Sequence, residues 1–123
     1  MTRTFIRGLH NLHPPTSGCV ATIGTFDGIH LGHQAIVAQV KQRATVYRLP
    51  SVAMIFEPHP REYFTREKAP ARLMRLREKA EALYDLGIDR IVCLQFNRTL
   101  RTLDAREFIQ RVLVEGVRVR CLV

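Results

Sequence analysis

The chain has 123 residues, 46% apolar and 24% charged, which suits one globular domain and is too short for two. No apolar run approaches the roughly 20 residues of a membrane helix, and Met1-Thr2-Arg3-Thr4-Phe5 lacks the long apolar segment of a secretory signal, so the sequence reads as cytoplasmic. Nineteen Lys and Arg against eleven Asp and Glu give a formal charge of +8; spread along helices and loops among few aromatics, these charges favour a local site for acidic small molecules over a nucleic-acid face.

Residues 1–17 show no sustained periodicity and read as a short strand or extended lead-in at Phe5-Ile6, then a proline-rich loop. His10 and His13 stand three apart, but the loop ends in Pro14-Pro15 with no carboxylate nearby, which argues against a ligand role. The apolar run Cys19–Ile23 predicts a strand over 18–24. Ile36, Val37, Val40 and Ala44 recur at helical spacing and predict a helix over 32–47, ended before Pro50. A second strand follows at 52–56, then a proline- and charge-rich stretch, 57–70, read as an ordered loop over the strand ends.

Leu73, Leu76, Ala80 and Leu83 form the apolar stripe of a helix over 72–86, stopped by Gly87. A third strand is expected at 91–96. Asp104 and Glu107 have the spacing of a capping box, opening a helix with Ala105, Phe108, Ile109, Val112 and Leu113 inward and Gly116 at its close. A fourth strand runs from Val117 to Val123. Cys19, Cys93 and Cys121 each fall in a predicted strand at no metal-like spacing, which implies buried, reduced thiols.

Strand–helix alternation predicts an α/β fold: a Rossmann-like, doubly wound parallel sheet of four main strands and three helices with right-handed crossovers. Ligands bind such sheets at the carboxyl ends of the strands, beside the point where strand order reverses. His30, Pro58 and Asn97 each follow the carboxyl end of a different strand, so they are expected on one rim. The apolar final strand, without a turn after it, suggests an incomplete domain.

The stretch Gly24-Thr25-Phe26-Asp27-Gly28-Ile29-His30-Leu31-Gly32-His33 joins the first main strand to its helix. A helix N-terminus offers free N–H groups and partial positive charge, and glycines let a phosphate approach the backbone. His30 and His33, three apart, can face one spot. Phe26 is expected to pack under the turn. Asp27 shapes it through its side-chain oxygen, with direct ligand contact as the second choice. A zinc-protease reading fails, because those helices place histidines four apart with a glutamate between.

These residues resemble the nucleotidylyltransferase superfamily signature, whose H-x-G-H element is here His30-Leu31-Gly32-His33. Arg7-Gly8-Leu9, Phe56-Glu57-Pro58-His59-Pro60, Ala69-Pro70-Ala71-Arg72-Leu73, Arg77-Glu78-Lys79 and Phe96-Asn97 narrow the resemblance to the bacterial riboflavin kinase/FAD synthetase family. It covers essentially the whole chain and the front part of that family's adenylyltransferase module. Residues 1–123 would then be the N-terminal part of an FMN adenylyltransferase domain, with the C-terminal riboflavin kinase domain absent.

The resemblance implies transfer of AMP from ATP to FMN, giving FAD and pyrophosphate. His30 and His33 would be the catalytic pair, and Gly24, Thr25, Phe26, Asp27, Gly28 and Gly32 the ATP-binding bend. Pro58, His59, Pro60, Phe64 and Asn97 would lie on the flavin side. On residues alone, an ordinary proline-rich turn with Phe64 in the core, and Asn97 as a turn residue, are the alternatives. Mg2+ would arrive with ATP, ligated mostly by phosphate and water; no protein metal site is implied. One basic residue among Arg66, Lys68, Arg72, Arg75, Arg77 and Lys79 would meet a phosphate, the rest forming a solvated helix face. Rival readings are a transferase of the same superfamily with another phosphate acceptor, a non-catalytic basic nucleic-acid-binding domain, and an inert fragment.

Overall fold

The computed structural model describes residues 4–8, 11, 17–26, 31–57, 76–95 and 98–123. Five parallel strands form one sheet in the order β1-β4-β3-β2-β5. They are β1 (Thr4–Arg7), β2 (Cys19–Ile23), β3 (Ser51–Glu57), β4 (Arg90–Gln95) and β5 (Val119–Leu122). The helices are α1 (Leu31–Tyr47), α2 (Leu76–Asp85), the one-turn α3 (Arg98–Arg101) and α4 (Ala105–Phe108), which runs on as a π-helical segment, Ile109–Val117. The doubly wound parallel sheet is as expected. The lead-in at Phe5-Ile6 proves to be a fifth strand, paired with β4.

Strand residues alternate between two cores. Val20, Ala53, Ile55, Ile91 and Cys93 point to the face covered by α1 and α2, packing with Val37, Val40, Ala44, Ala80 and Leu83. Cys19, Ala21, Met54, Val92 and Leu94 point to the other face, covered by Leu100, Val112, Leu113 and Val117. The helices change faces where the chain leaves β4 and crosses to the far side of β2. Right-handed crossovers require that change. The strand order thus reverses between β2 and β5.

Three expected inward positions lie elsewhere. Ile36 is 37% exposed, because α1 seats on the narrower line Val37, Val40 and Ala44. Ile109 is half exposed and Ala105 is exposed. Beyond Phe108 the chain takes wider i→i+5 turns, which rotate the stripe onto Val112, Leu113 and Val117. Asp104 is the N-cap as expected, its carboxylate accepting from the Glu107 N–H at 2.8 Å. The segment closes on Arg118 in the left-handed region (φ 59°), not on Gly116; the Arg118 N–H donates to the Leu113 carbonyl. Residues 72–75 of the expected second helix, Leu73 among them, lie outside the described residues, as does most of the loop 57–70.

Helices α1 and α2 end alike. Arg48 (φ 56°) follows α1, with the Leu49 N–H bonded to the Ala44 carbonyl at 2.9 Å; Gly87 (φ 104°) follows α2, with Ile88 bonded to Leu83 at 3.1 Å. Both are left-handed caps, which favour glycine. Arg48→Gly is therefore expected to stabilise the chain by about 1 kcal/mol, read as a higher urea midpoint with unchanged slope.

The thiols match expectation in part. Cys19 and Cys93 are buried, Cys121 is half-buried, and all three are free. Burial pushes the Cys19 thiol up to about 11, against a smaller lowering by Arg90, so it stays protonated and inert at neutral pH.

Candidate functional site

The carboxyl ends of the strands form one rim. Glu57 pairs in register with Gln95, and Ile23 with Met54. On the far side of β2, Leu122 pairs with Ala21, and the Val123 N–H donates to the Ala21 carbonyl at 2.9 Å. The crevice between the ends of β2 and β5 is thus the place where a doubly wound sheet receives its ligand.

The chain leaves β2 at this crevice through Gly24-Thr25-Phe26. The Gly24 N–H donates to the Met54 carbonyl at 3.1 Å, so this amide serves the sheet and is not free for a phosphate. What Gly24 supplies is space. A Cβ there would stand 3.0 Å from Phe26 Cε2. Phe26 adopts a left-handed backbone (φ 52°), uncommon for a non-glycine residue. Its ring is 1% exposed, in the core beneath α1 with Val20, Val37 and Ile55. Phe26 packs under the bend as expected, so its ring is not a surface on which a nucleotide rests.

Helix α1 follows, with no acidic residue in its first turn to offset the positive end of its dipole. Gly32 is exposed and His33 half-buried in that turn. The His33 imidazole lies against Phe26, ring centroids 5.3 Å apart and planes at 59°. Of the expected site residues, Gly24, Thr25, Phe26, Gly32 and His33 gather at the rim. Asp27, Gly28, His30, Pro58, His59, Pro60, Phe64 and Asn97 lie outside the described residues.

Beside the bend, on the α3/α4 face, is a cavity of about 550 Å3 walled by Ile23, Phe56, Leu100, Leu103, Phe108 and Leu122 among others. Its size and apolar walls suit a flat organic ring. None of these six was singled out as a site residue from sequence. Period-two alternation carries the signal, since it turns the last inward residues of β2 and β3 toward the same mouth. Of the basic run, Arg77 is solvated and paired with Glu81 at 3.4 Å, whereas Lys79 is buried in the first turn of α2. Among the described residues no group of three His, Cys, Asp or Glu side chains could hold a metal ion, and no helix is long and apolar enough to cross a membrane.

The profile of the FAD synthetase family matches residues 12–123. The bifunctional riboflavin kinase/FMN adenylyltransferase of Pseudomonas fluorescens is 56% identical over 117 residues, 95% of this chain and 37% of its own. That of Escherichia coli K12 is 47% identical over 118 residues, covering 95% of this chain and 38% of its own. A solved structure described as a macrolide-efflux protein from Streptococcus pneumoniae superposes on all of this chain and 40% of its own, with TM-score 0.78 at 23% identity; that likeness concerns the fold alone. The chain spans little more than a third of the length of these curated relatives, and over that span it belongs to the FAD synthetase family.

Proposed function

We propose that this chain supplies the nucleotide bend and part of the flavin cavity of an FMN adenylyltransferase, which joins the phosphate of FMN to the α-phosphorus of ATP and expels pyrophosphate. The observation that carries the reading is the placement of Gly24-Thr25-Phe26 and His33 at the reversal of strand order, with an apolar cavity beside them. Such a transfer asks a protein mainly for alignment and charge stabilisation. The N-terminus of α1 would face the triphosphate, and His33 with His30 would donate to its oxygens as charge builds. The apolar cavity would take the isoalloxazine ring, flanked by Pro58, His59, Pro60, Phe64 and Asn97. One residue of the basic run would meet a phosphate; Arg77 and Lys79, in the first turn of α2, are its members among the described residues.

Mg2+ would enter as part of the ATP substrate, holding phosphate and water. The reaction belongs in the cytoplasm, and the names of the relatives support a riboflavin kinase domain as partner in a complete protein. The test uses a chimera in which this chain replaces the matching part of the Pseudomonas fluorescens protein. Leu122, at the cavity mouth and 52% exposed, is changed to Glu. A carboxylate there meets the ring without disturbing the core and is expected to weaken FMN binding at least tenfold, about 1.4 kcal/mol, with ATP binding unchanged. Quenching of FMN fluorescence reads the affinity. Undiminished quenching by Leu122→Glu would refute the cavity as flavin site, and a chimera that forms no FAD from ATP and FMN would refute the activity.

A further inference from the structure

We infer that Phe26 is a positioning residue, whose buried ring sets the direction in which the imidazole of His33 faces the rim; the inference rests on the reading of His33 as a nucleotide contact. Three observations meet at this ring. Its backbone is held at φ 52°, a conformation that costs a phenylalanine free energy and persists only where the surroundings enforce it. That backbone turns the side chain away from the rim, into the layer between β2 and α1, where it is 1% exposed. There it lies 5.3 Å from the His33 ring, tilted by 59°, an arrangement favoured between aromatic rings.

The ring is also confined by Gly24, where even a methyl group would come within 3.0 Å of Cε2. The ring is therefore packed among the Gly24 backbone, the core residues Val20, Val37 and Ile55, and the imidazole. Core side chains packed this closely transmit a displacement rather than absorb it. A shift of the Phe26 ring must move His33, although Phe26 itself never reaches the solvent side where a nucleotide would sit. A residue needed only for stability would not carry this directional link.

The first test follows the histidine ring resonances of the isotope-labelled chain, with His33 assigned by its loss in His33→Ala. Phe26→Leu removes the aromatic neighbour, and Gly24→Ala keeps it but crowds it. Both are expected to move the His33 resonances while the amides of Val40 and Ala44 stay in place. Unmoved His33 resonances would overturn the inference; should Phe26→Leu fail to fold, Gly24→Ala decides alone. The second test is a double-mutant cycle on ATP affinity in the chimera. Phe26→Leu is expected to cost roughly tenfold when His33 is present and nothing further in His33→Ala. Equal losses in both backgrounds would mean that Phe26 acts through the backbone of the bend, which also overturns the inference. If His33→Ala leaves ATP affinity and turnover intact, the nucleotide role of His33 fails, and the resonance shifts alone then decide the Phe26–His33 link.

Discussion

His33→Ala in the chimera is expected to lower the rate of FAD formation by on the order of 10²–10³-fold, the usual cost of losing one donor to developing charge. The loss should fall mainly on kcat, with a smaller rise in the KM for ATP. The phosphate oxygens gain negative charge as the bond to pyrophosphate breaks, so a donor fixed at that point contributes more to the transition state than to the ground state. The imidazole is fixed: it sits in the first turn of a 17-residue helix and rests on a buried ring. His30→Ala is expected to act in the same direction. Chromatographic quantification of FAD, with pyrophosphate release measured in parallel, checks both variants. Undiminished turnover in both would remove the two histidines from the mechanism.

The path to that site could be followed in the residues because its signals are local. An apolar run, a glycine bend and a helical stripe lie within 27 consecutive residues, 18–44, and each constrains the next. Cys19–Ile23 and Leu31–Tyr47 accordingly form close to the expected boundaries. The N-cap at Asp104 was equally legible, being one side chain bonded to a backbone N–H three residues on. What escaped depends on contacts between distant segments. The short strand or extended lead-in read at Phe5-Ile6 is the strand Thr4–Arg7, but its pairing with β4, 86 residues away at Thr4–Arg90, is not legible in its own residues. The cavity walls come from β2, β3, β5 and the segment after β4, and no single window contains that set. Ile109 turned outward because the helix widened after Phe108, a change that an α-helical period cannot anticipate.

Gly18→Ala should be among the most damaging single-methyl changes in the chain, lowering stability by about 3 kcal/mol through left-handed strain and steric conflict together. Gly18 is buried with φ 92°, which an alanine adopts only under strain. A Cβ there would also stand 2.5 Å from Arg120 Cγ and 2.8 Å from the Arg118 carbonyl oxygen. The Arg120 side chain is exposed and can swing aside. The carbonyl cannot, since it accepts the Cys19 N–H at 3.1 Å and so fastens the start of β5 to β2. Relieving the conflict therefore means loosening β5, the strand that closes one side of the crevice. Hydrogen exchange should show the largest acceleration at the amides of Cys19 and Val123, because Val123 also bonds across to β2, with a smaller one in β3 and β4 that follows the global loss of stability. Ser17→Ala, one residue earlier at an exposed position, should change stability by less than about 0.5 kcal/mol and serves as the control. FMN affinity in the chimera should fall with the loosening, since Leu122 of β5 walls the cavity. Unchanged stability in Gly18→Ala, with Cys19 and Val123 still protected, would mean that β5 is not held by this contact and that the crevice owes its shape to something else.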